Sequence, residues 1–249
     1  MKESNPDWLF GIEGAVPKYW NFAISDVRQY ILENLTEIVG NYDFDGLELN
    51  FARGYVLPAG QQWELRDSIT DFITSVREML SRLEKNGRKP CLLAIRVPET
   101  VVGCHFDGLD IEKWLDKGLM DMLTLGCRSF EVDIKSFKSM SDNIPIYPTL
   151  DAHHATDGYM HPGINVLRGV VANWLHQGAD GIQTFNFAYA KDSPYGGEDW
   201  ESYLDLYKDL KLINQIESKD KTFVIERRGG GHGGSVMPNP EDWYTPTAG

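Results

Sequence analysis

Polar side chains that could carry chemistry lie within short apolar segments of this sequence. The segment FDGLELNF (44–51) alternates apolar residues with Glu48 and Asn50, and Arg53 follows shortly after it. Alternate side chains of a β-strand point to opposite faces, so Glu48 and Asn50 share one face and the leucines share the other. A carboxylate beside guanidinium groups is suited to act as a base or a nucleophile.

Three further apolar segments end in polar residues in the same way. A buried unpaired charge costs several kcal/mol, so such groups must pair, meet water or meet a ligand. In a parallel β/α barrel the carboxyl ends of the strands carry the active site. The candidates on these later segments are Arg96, Glu99, Tyr147, Asp151, His153, His154 and Asn186.

Paired carboxyl groups at this edge would suit the hydrolysis of a glycosidic bond, which needs one acid and one nucleophile or base. Glu48 is the first candidate, with Asp151 or Glu99 as its partner. A buried Glu48–Arg96 ion pair that only braces the fold is the alternative interpretation. The remaining candidates would bind the carbohydrate substrate: Asn50, Arg53, Arg96, Tyr147, His153, His154 and Asn186.

No metal or cofactor site is predicted. His153 and His154 are adjacent, so on a strand they point in opposite directions and seldom bind one ion. The cysteines form no CxxC pair, and the glycine run GGGHGG (229–234) lacks the Lys-Ser/Thr and the helix of a phosphate-binding loop. That run is interpreted as a flexible linker.

The elements that must position these residues alternate between short apolar runs and helix-period segments. This alternation predicts an α/β fold, a (β/α)8 TIM-type barrel with about five β/α units that is incomplete at its N-terminal side. A doubly wound open sheet would give the same alternation, but no glycine-rich phosphate turn follows any strand. The predicted strands are 44–51, 90–98, 120–126, 144–151 and 179–187, and the predicted helices are 25–42, 67–87, 109–118, 131–142, 164–178 and 199–218.

The barrel is predicted to occupy residues 1–218. Residues 219–249 are rich in Gly and Pro and are predicted to form a tail, or the beginning of a second domain, with one short strand at TFVIER (222–227). The helix at 25–42 precedes the first strand, so we expect the chain to be the C-terminal part of a longer barrel.

The composition argues against two classes of partner. The 249-residue chain has a formal net charge of −13, which repels phosphate backbones, so nucleic acid is not an expected partner. No apolar run approaches the roughly 20 residues that cross a bilayer, so no membrane association is predicted. A neutral or cationic ligand is compatible with this charge.

The run WNFAISDVRQYILENLTEIVGNYDFDGLELNFARG (20–54) resembles bacterial glycoside hydrolase-like 10 proteins, whose typical pattern is close to WNFA-x-x-VR-x-Y … YDVDGIELDF-x-R. The similarity continues through LLAIRVPET and LDIEKWLDKGLMDMLTLG to ADGIQTFNF and so covers roughly residues 6–228. It implies a (β/α)8 barrel and a hydrolase of polysaccharides. Asn50 replaces the usual Asp of this pattern, and the catalytic Glu of the related chitinase pattern falls on Ala52.

Two other functions are compatible with the sequence. The first is a carbohydrate-binding barrel that lacks a complete carboxylate pair, which Asn50 favours. The second is a barrel lyase or aldolase, which ranks last because no strand ends in the lysine that a Schiff base requires.

Overall fold

A computed structural model describes residues 3–11, 19–52, 54–126, 129–141, 143–151, 162–185, 200–211 and 213–225 of the chain. The strands in this part are β1 (Leu9–Phe10), β2 (Tyr19–Trp20), β3 (Gly46–Asn50), β4 (Leu92–Val97), β5 (Met122–Leu125), β6 (Ile146–Asp151) and β7 (Gln183–Phe185). The helices are α1 (Ser25–Asn41), α2 (Arg66–Lys85), α3 (Val101–Phe106), α4 (Ile111–Asp116), α5 (Ile134–Met140), α6 (Ile164–His176) and α7 (Trp200–Lys211).

Strands β3 to β7 follow one another in chain order, β3-β4-β5-β6-β7, in a five-stranded sheet. Strands β3 and β4 pair in parallel, and so do β6 and β7. At least one helix follows each of the five strands. The predicted incomplete α/β barrel of about five β/α units is therefore confirmed. A doubly wound sheet would instead reverse its strand order at a switch point.

Some elements differ from the sequence-based expectation. Helix α3 was not predicted, and a 3-10 turn at Ile213–Ser218 takes the place of the last part of the predicted final helix. The short strand predicted at 222–227 is wrong for residues 222–225, because the Thr222 amide donates to the carbonyl of Asn165 on α6 and no strand forms there.

The chain divides into two compact units, Met1–Leu123 and Thr124–Gly249. In the first unit the amphipathic helix α2 buries one apolar face, and the indole of buried Trp114 donates to the Thr70 hydroxyl at 2.9 Å. In the second unit the indole of buried Trp174 on α6 donates to the Phe130 carbonyl at 2.9 Å. Each indole thus enters its core with its polar atom satisfied.

An aspartate that precedes a strand anchors the beginning of the previous strand in both units. Asp121 accepts from the amide of Leu93 in β4 at 2.7 Å, and Arg77 of α2 pairs with the same carboxylate. Asp180 accepts from the amide of Ile146 in β6 at 2.7 Å and pairs with a lysine of α5. These contacts fix the amino ends of β4 and β6.

Candidate active site

The centre of the candidate site is an ion pair between Glu48 on β3 and Arg96 on β4. The parallel register places Glu48 opposite Ala94 and Asn50 opposite Arg96. Arg96 donates to the same oxygen of Glu48 from Nε at 3.1 Å and from Nη2 at 3.0 Å. The ion pair considered as an alternative from the sequence is thus present.

The two partners differ in their exposure to solvent. The side chain of Arg96 is 3% exposed, whereas that of Glu48 is 29% exposed. A largely buried cation therefore holds a carboxylate that a ligand can still reach. Charge-assisted hydrogen bonds of this length restrict the carboxylate to one orientation.

Asn50 has a local role that the sequence did not predict. Its Oδ1 accepts from the amide of Ala52 at 3.0 Å, and the amide of Phe51 donates to the Arg96 carbonyl at 2.9 Å. The side chain of Asn50 thus closes the turn at the carboxyl end of β3. Ala52, where the chitinase pattern has its catalytic Glu, is buried and brings no carboxylate to this turn.

Glu99 lies two residues beyond β4, and it is 3% exposed. It interacts electrostatically with a second buried carboxyl group, that of Asp107, which directly follows α3 and is 7% exposed. Burial, together with the smaller electrostatic effect of the nearby Glu99 carboxyl, raises the pKa of Asp107 to about 8. Asp107 was not a sequence candidate, and an Asp-Gly pair is itself typical of an exposed turn.

The remaining predicted site residues are Tyr147 and Asp151 on β6 and four residues that the structure does not describe. Tyr147 is the second residue of β6, and a Cβ placed on Gly181 would lie 2.7 Å from its ring. Asp151 is the last residue of β6, but its side chain lies outside the described residues. The predicted substrate-binding residues that lie outside the described residues altogether are Arg53, His153, His154 and Asn186.

No group of three or more His, Cys, Asp or Glu side chains among the described residues is placed to hold a metal ion. None of the helices described is both long and apolar enough to cross a bilayer.

No protein-family model and no curated protein matches the sequence. Similar solved structures include a chitinase from Bacillus thuringiensis, which is 15% identical with a TM-score of 0.41 over 52% of this chain and 25% of that protein. A glycoside hydrolase family 18 N-acetylglucosaminidase from Paenibacillus barengoltzii is 13% identical, with a TM-score of 0.48 over 82% of this chain and 84% of that one. A chitinase from Ipomoea carnea is 12% identical, with a TM-score of 0.43 over 73% of this chain and 66% of that one.

These likenesses are too distant to identify a family for this chain. Two of the three similar structures are chitinases and one is a family 18 N-acetylglucosaminidase, and the resemblance to glycoside hydrolase-like 10 proteins stays a prediction from the sequence. The chain spans only a quarter of the length of the Bacillus thuringiensis chitinase. The activity of this chain must therefore be inferred from its own residues.

Proposed function

We propose that this chain is a glycoside hydrolase that cleaves glycosidic bonds of an oligosaccharide or polysaccharide with a pair of carboxyl groups. The observation that supports this most is the Glu48–Arg96 ion pair, in which a buried guanidinium orients a partly exposed carboxylate. The pair lies on neighbouring parallel strands, on the face that the alternation of residues in β3 makes polar. Active sites of parallel barrels are built at the carboxyl ends of such strands.

Glu48 would act as the nucleophile or the base, because the Arg96 guanidinium at 3.0 Å orients its carboxylate through charge-assisted hydrogen bonds. The acid that protonates the leaving oxygen would be Glu99 or Asp151. In a retaining enzyme the two carboxyl groups are about 5 Å apart, whereas about 6.5–9.5 Å leaves room for the water of an inverting enzyme.

The substrate-binding roles follow from hydrogen-bonding capacity. The Asn50 amide nitrogen can donate to a sugar hydroxyl while its oxygen closes the turn after β3. The other proposed carbohydrate-binding residues are Arg53, Arg96, Tyr147, His153, His154 and Asn186. No cofactor and no metal is required for this reaction.

A carbohydrate-binding barrel without catalytic activity is the second candidate. Asn50 stands where the resembled proteins have a carboxylate, and its oxygen is occupied by the Ala52 amide. The chain would then keep the polar face of β3 and bind a glycan without cleaving it.

A panel of oligosaccharides distinguishes the two functions. Release of new reducing ends by the chain supports the hydrolase, whereas calorimetric binding of a glycan without release supports the binding barrel. Neither hydrolysis nor binding on a broad panel would contradict both. Asp45→Asn is a suitable control, because this highly exposed carboxylate lies just before β3 and pairs with Lys89 rather than with the site. We expect that variant to retain wild-type activity.

A further inference from the structure

A cavity of about 150 Å³ lies in the second compact unit, between α6, the residues that follow β5 and the segment 223–225. Two of the residues that line it, Phe130 and Val170, are apolar and are only 5% and 6% exposed. An apolar cavity of about this volume accepts a molecule of the size of benzene. The cavity therefore has room for one small ring or a short aliphatic chain.

Gly169 allows the segment 222–225 to lie directly on α6. A Cβ added to Gly169 would collide with the carbonyl oxygen of Thr222. The Thr222 amide in turn donates to the carbonyl of Asn165 on α6 at 2.8 Å. One wall of the cavity is thus held to the helix by backbone contacts.

The opposite wall, formed by the residues that follow β5, is fixed as well. The Trp174 indole of α6 donates to the Phe130 carbonyl at 2.9 Å. The Glu131 amide donates to the hydroxyl oxygen of Ser129 at 3.0 Å. A cavity whose walls are ordered in advance loses less entropy when a ligand binds.

Glu131 is the one charged side chain among the described residues that line the cavity. The residue is exposed as a whole, yet partial burial of its carboxyl raises its pKa, as expected at the rim of a cavity. Burial disfavours the negative charge, and a cation bound in the cavity would offset this effect. Asn173, one turn of α6 beyond Gly169, is also exposed and offers an amide oxygen to an N–H donor.

Two basic side chains of the neighbouring elements are bound to groups outside the cavity lining. Arg168 of α6 pairs with Asp209 at 2.7 Å. The ammonium group of Lys221 donates to three backbone carbonyls at 2.8–2.9 Å. The formal net charge of −13 also favours a cationic ligand over an anionic one.

Aromatic rings at the cavity add to the attraction for a cation. Phe223 is 68% exposed, and together with the buried ring of Phe130 it lines the cavity. The face of an aromatic ring carries partial negative charge and attracts an ammonium group within about 6 Å. The same rings would bury the apolar part of a ligand.

We propose that this cavity binds a small organic ammonium ion, with the apolar part of the ligand against the two phenylalanine rings and its ammonium group between Glu131 and Asn173. The Glu48–Arg96 pair belongs to the other compact unit and shares no residue with this site. The proposal therefore does not depend on glycoside hydrolase activity.

Phenethylamine is a suitable probe, because it is protonated at neutral pH and its ring is the size of benzene. Titration of the isotope-labelled 249-residue chain, followed by amide chemical shifts, both measures and locates its binding. The largest shifts should occur at Gly169, Val170 and Asn173. Phenylethanol has the same shape without the charge and should bind about fivefold more weakly, the upper end of what an exposed ion pair contributes. Phenylpropionate, an anion, should not bind.

Two variants separate the charged part of the site from its apolar part. Glu131→Gln should weaken the binding of phenethylamine about fivefold and leave that of phenylethanol unchanged. Phe223→Ala should weaken the binding of both compounds. Both side chains reach solvent, so the variants are expected to fold.

Glu217→Gln and Leu204→Ala are the matched controls, since both residues are exposed in the same unit and neither lines the cavity. These controls should bind phenethylamine as the wild-type chain does. Equal affinity for phenethylamine and phenylpropionate, or unchanged affinity in Glu131→Gln, would overturn the proposal. So would shifts confined to residues away from the cavity, or the absence of binding at millimolar concentrations.

Discussion

Arg96 holds the carboxylate of Glu48 from a position that solvent hardly reaches. Burial removes most of the water from the Arg96 guanidinium. The Glu48 carboxylate and the other contacts of the buried site take the place of that water. Removing the Glu48 carboxylate would lower the free energy of unfolding by more than the net contribution of the ion pair, because the buried charge of Arg96 would lose its counter-ion. The partial exposure of Glu48 reduces this loss of stability, since water can still reach the ion pair and screen its charges.

A double-mutant cycle tests this account of the ion pair. Glu48→Ala should lower the free energy of unfolding more in the wild-type background than in an Arg96→Met background, with a coupling energy of about 1 kcal/mol. Urea unfolding of the four proteins measures it. A coupling energy near zero would show that the 3.0 Å contact contributes nothing to stability.

The sequence predicted part of this site for a physical reason. The period of two in β3 and β4 places Glu48 and Arg96 on one face, and neighbouring parallel strands bring them together. The sequence did not predict the turn contact of Asn50 or the burial of Asp107. Both depend on the path of the chain after a strand, and strand periodicity carries no information about that path.

Helix α3 and the turn after it are the elements that the sequence missed. The helix has six residues, VVGCHF, with two β-branched residues and a glycine, and such a composition does not predict a helix. Thr100 caps it, since its hydroxyl oxygen accepts from the Gly103 amide at 2.9 Å. Packing of α3 and its following turn against Gln62 and Trp63 adds to its stability, and only the folded structure reveals that packing.

Gly108 is the position where the packing of this element can be tested. Gly108→Ala should lower the free energy of unfolding, because alanine meets both an unfavourable φ of +74° and the Gln62 carbonyl at 2.3 Å. Gly60→Ala is the control, since Gly60 has a similar φ of +82° and nothing within 4 Å of an added Cβ. The left-handed backbone costs both variants about 1–2 kcal/mol.

The difference between these two glycine variants isolates the contact itself. Thermal or urea unfolding should show Gly108→Ala to be less stable than Gly60→Ala by about 1–3 kcal/mol, the usual range for overpacking. Equal losses would mean that α3 is not held against Gln62 as described.

At the scale of the whole molecule, the alternation of apolar runs and amphipathic segments was enough to predict an α/β fold of about five β/α units. Each of the five strands lies within its predicted segment, although four of the five predicted segments extend beyond the strand at both ends. End residues are the least predictable part of an element. The strand order, which decides between a barrel and a doubly wound sheet, required the structure. The division into a barrel at 1–218 and a tail at 219–249 stays a prediction.

The sequence predicts a class of substrate and reaction for this molecule, but it does not predict which glycan is bound. Carboxylates, guanidiniums and amides at strand ends favour a carbohydrate substrate, and the net charge of −13 favours a neutral or cationic one over a phosphorylated one. The choice of glycan depends on loops that follow the strands, and their conformations do not follow from periodicity.

The turnover and the melting temperature of Glu48→Gln, measured on a glycan that the wild-type chain cleaves, test the central claim most directly. Glutamine keeps an oxygen that can accept from Arg96 but cannot serve as a nucleophile or base. We therefore expect kcat to fall by several orders of magnitude while the melting temperature changes little. A variant that melts at a lower temperature but keeps near wild-type kcat would contradict the claim, and Glu48 would then be a purely structural partner of Arg96.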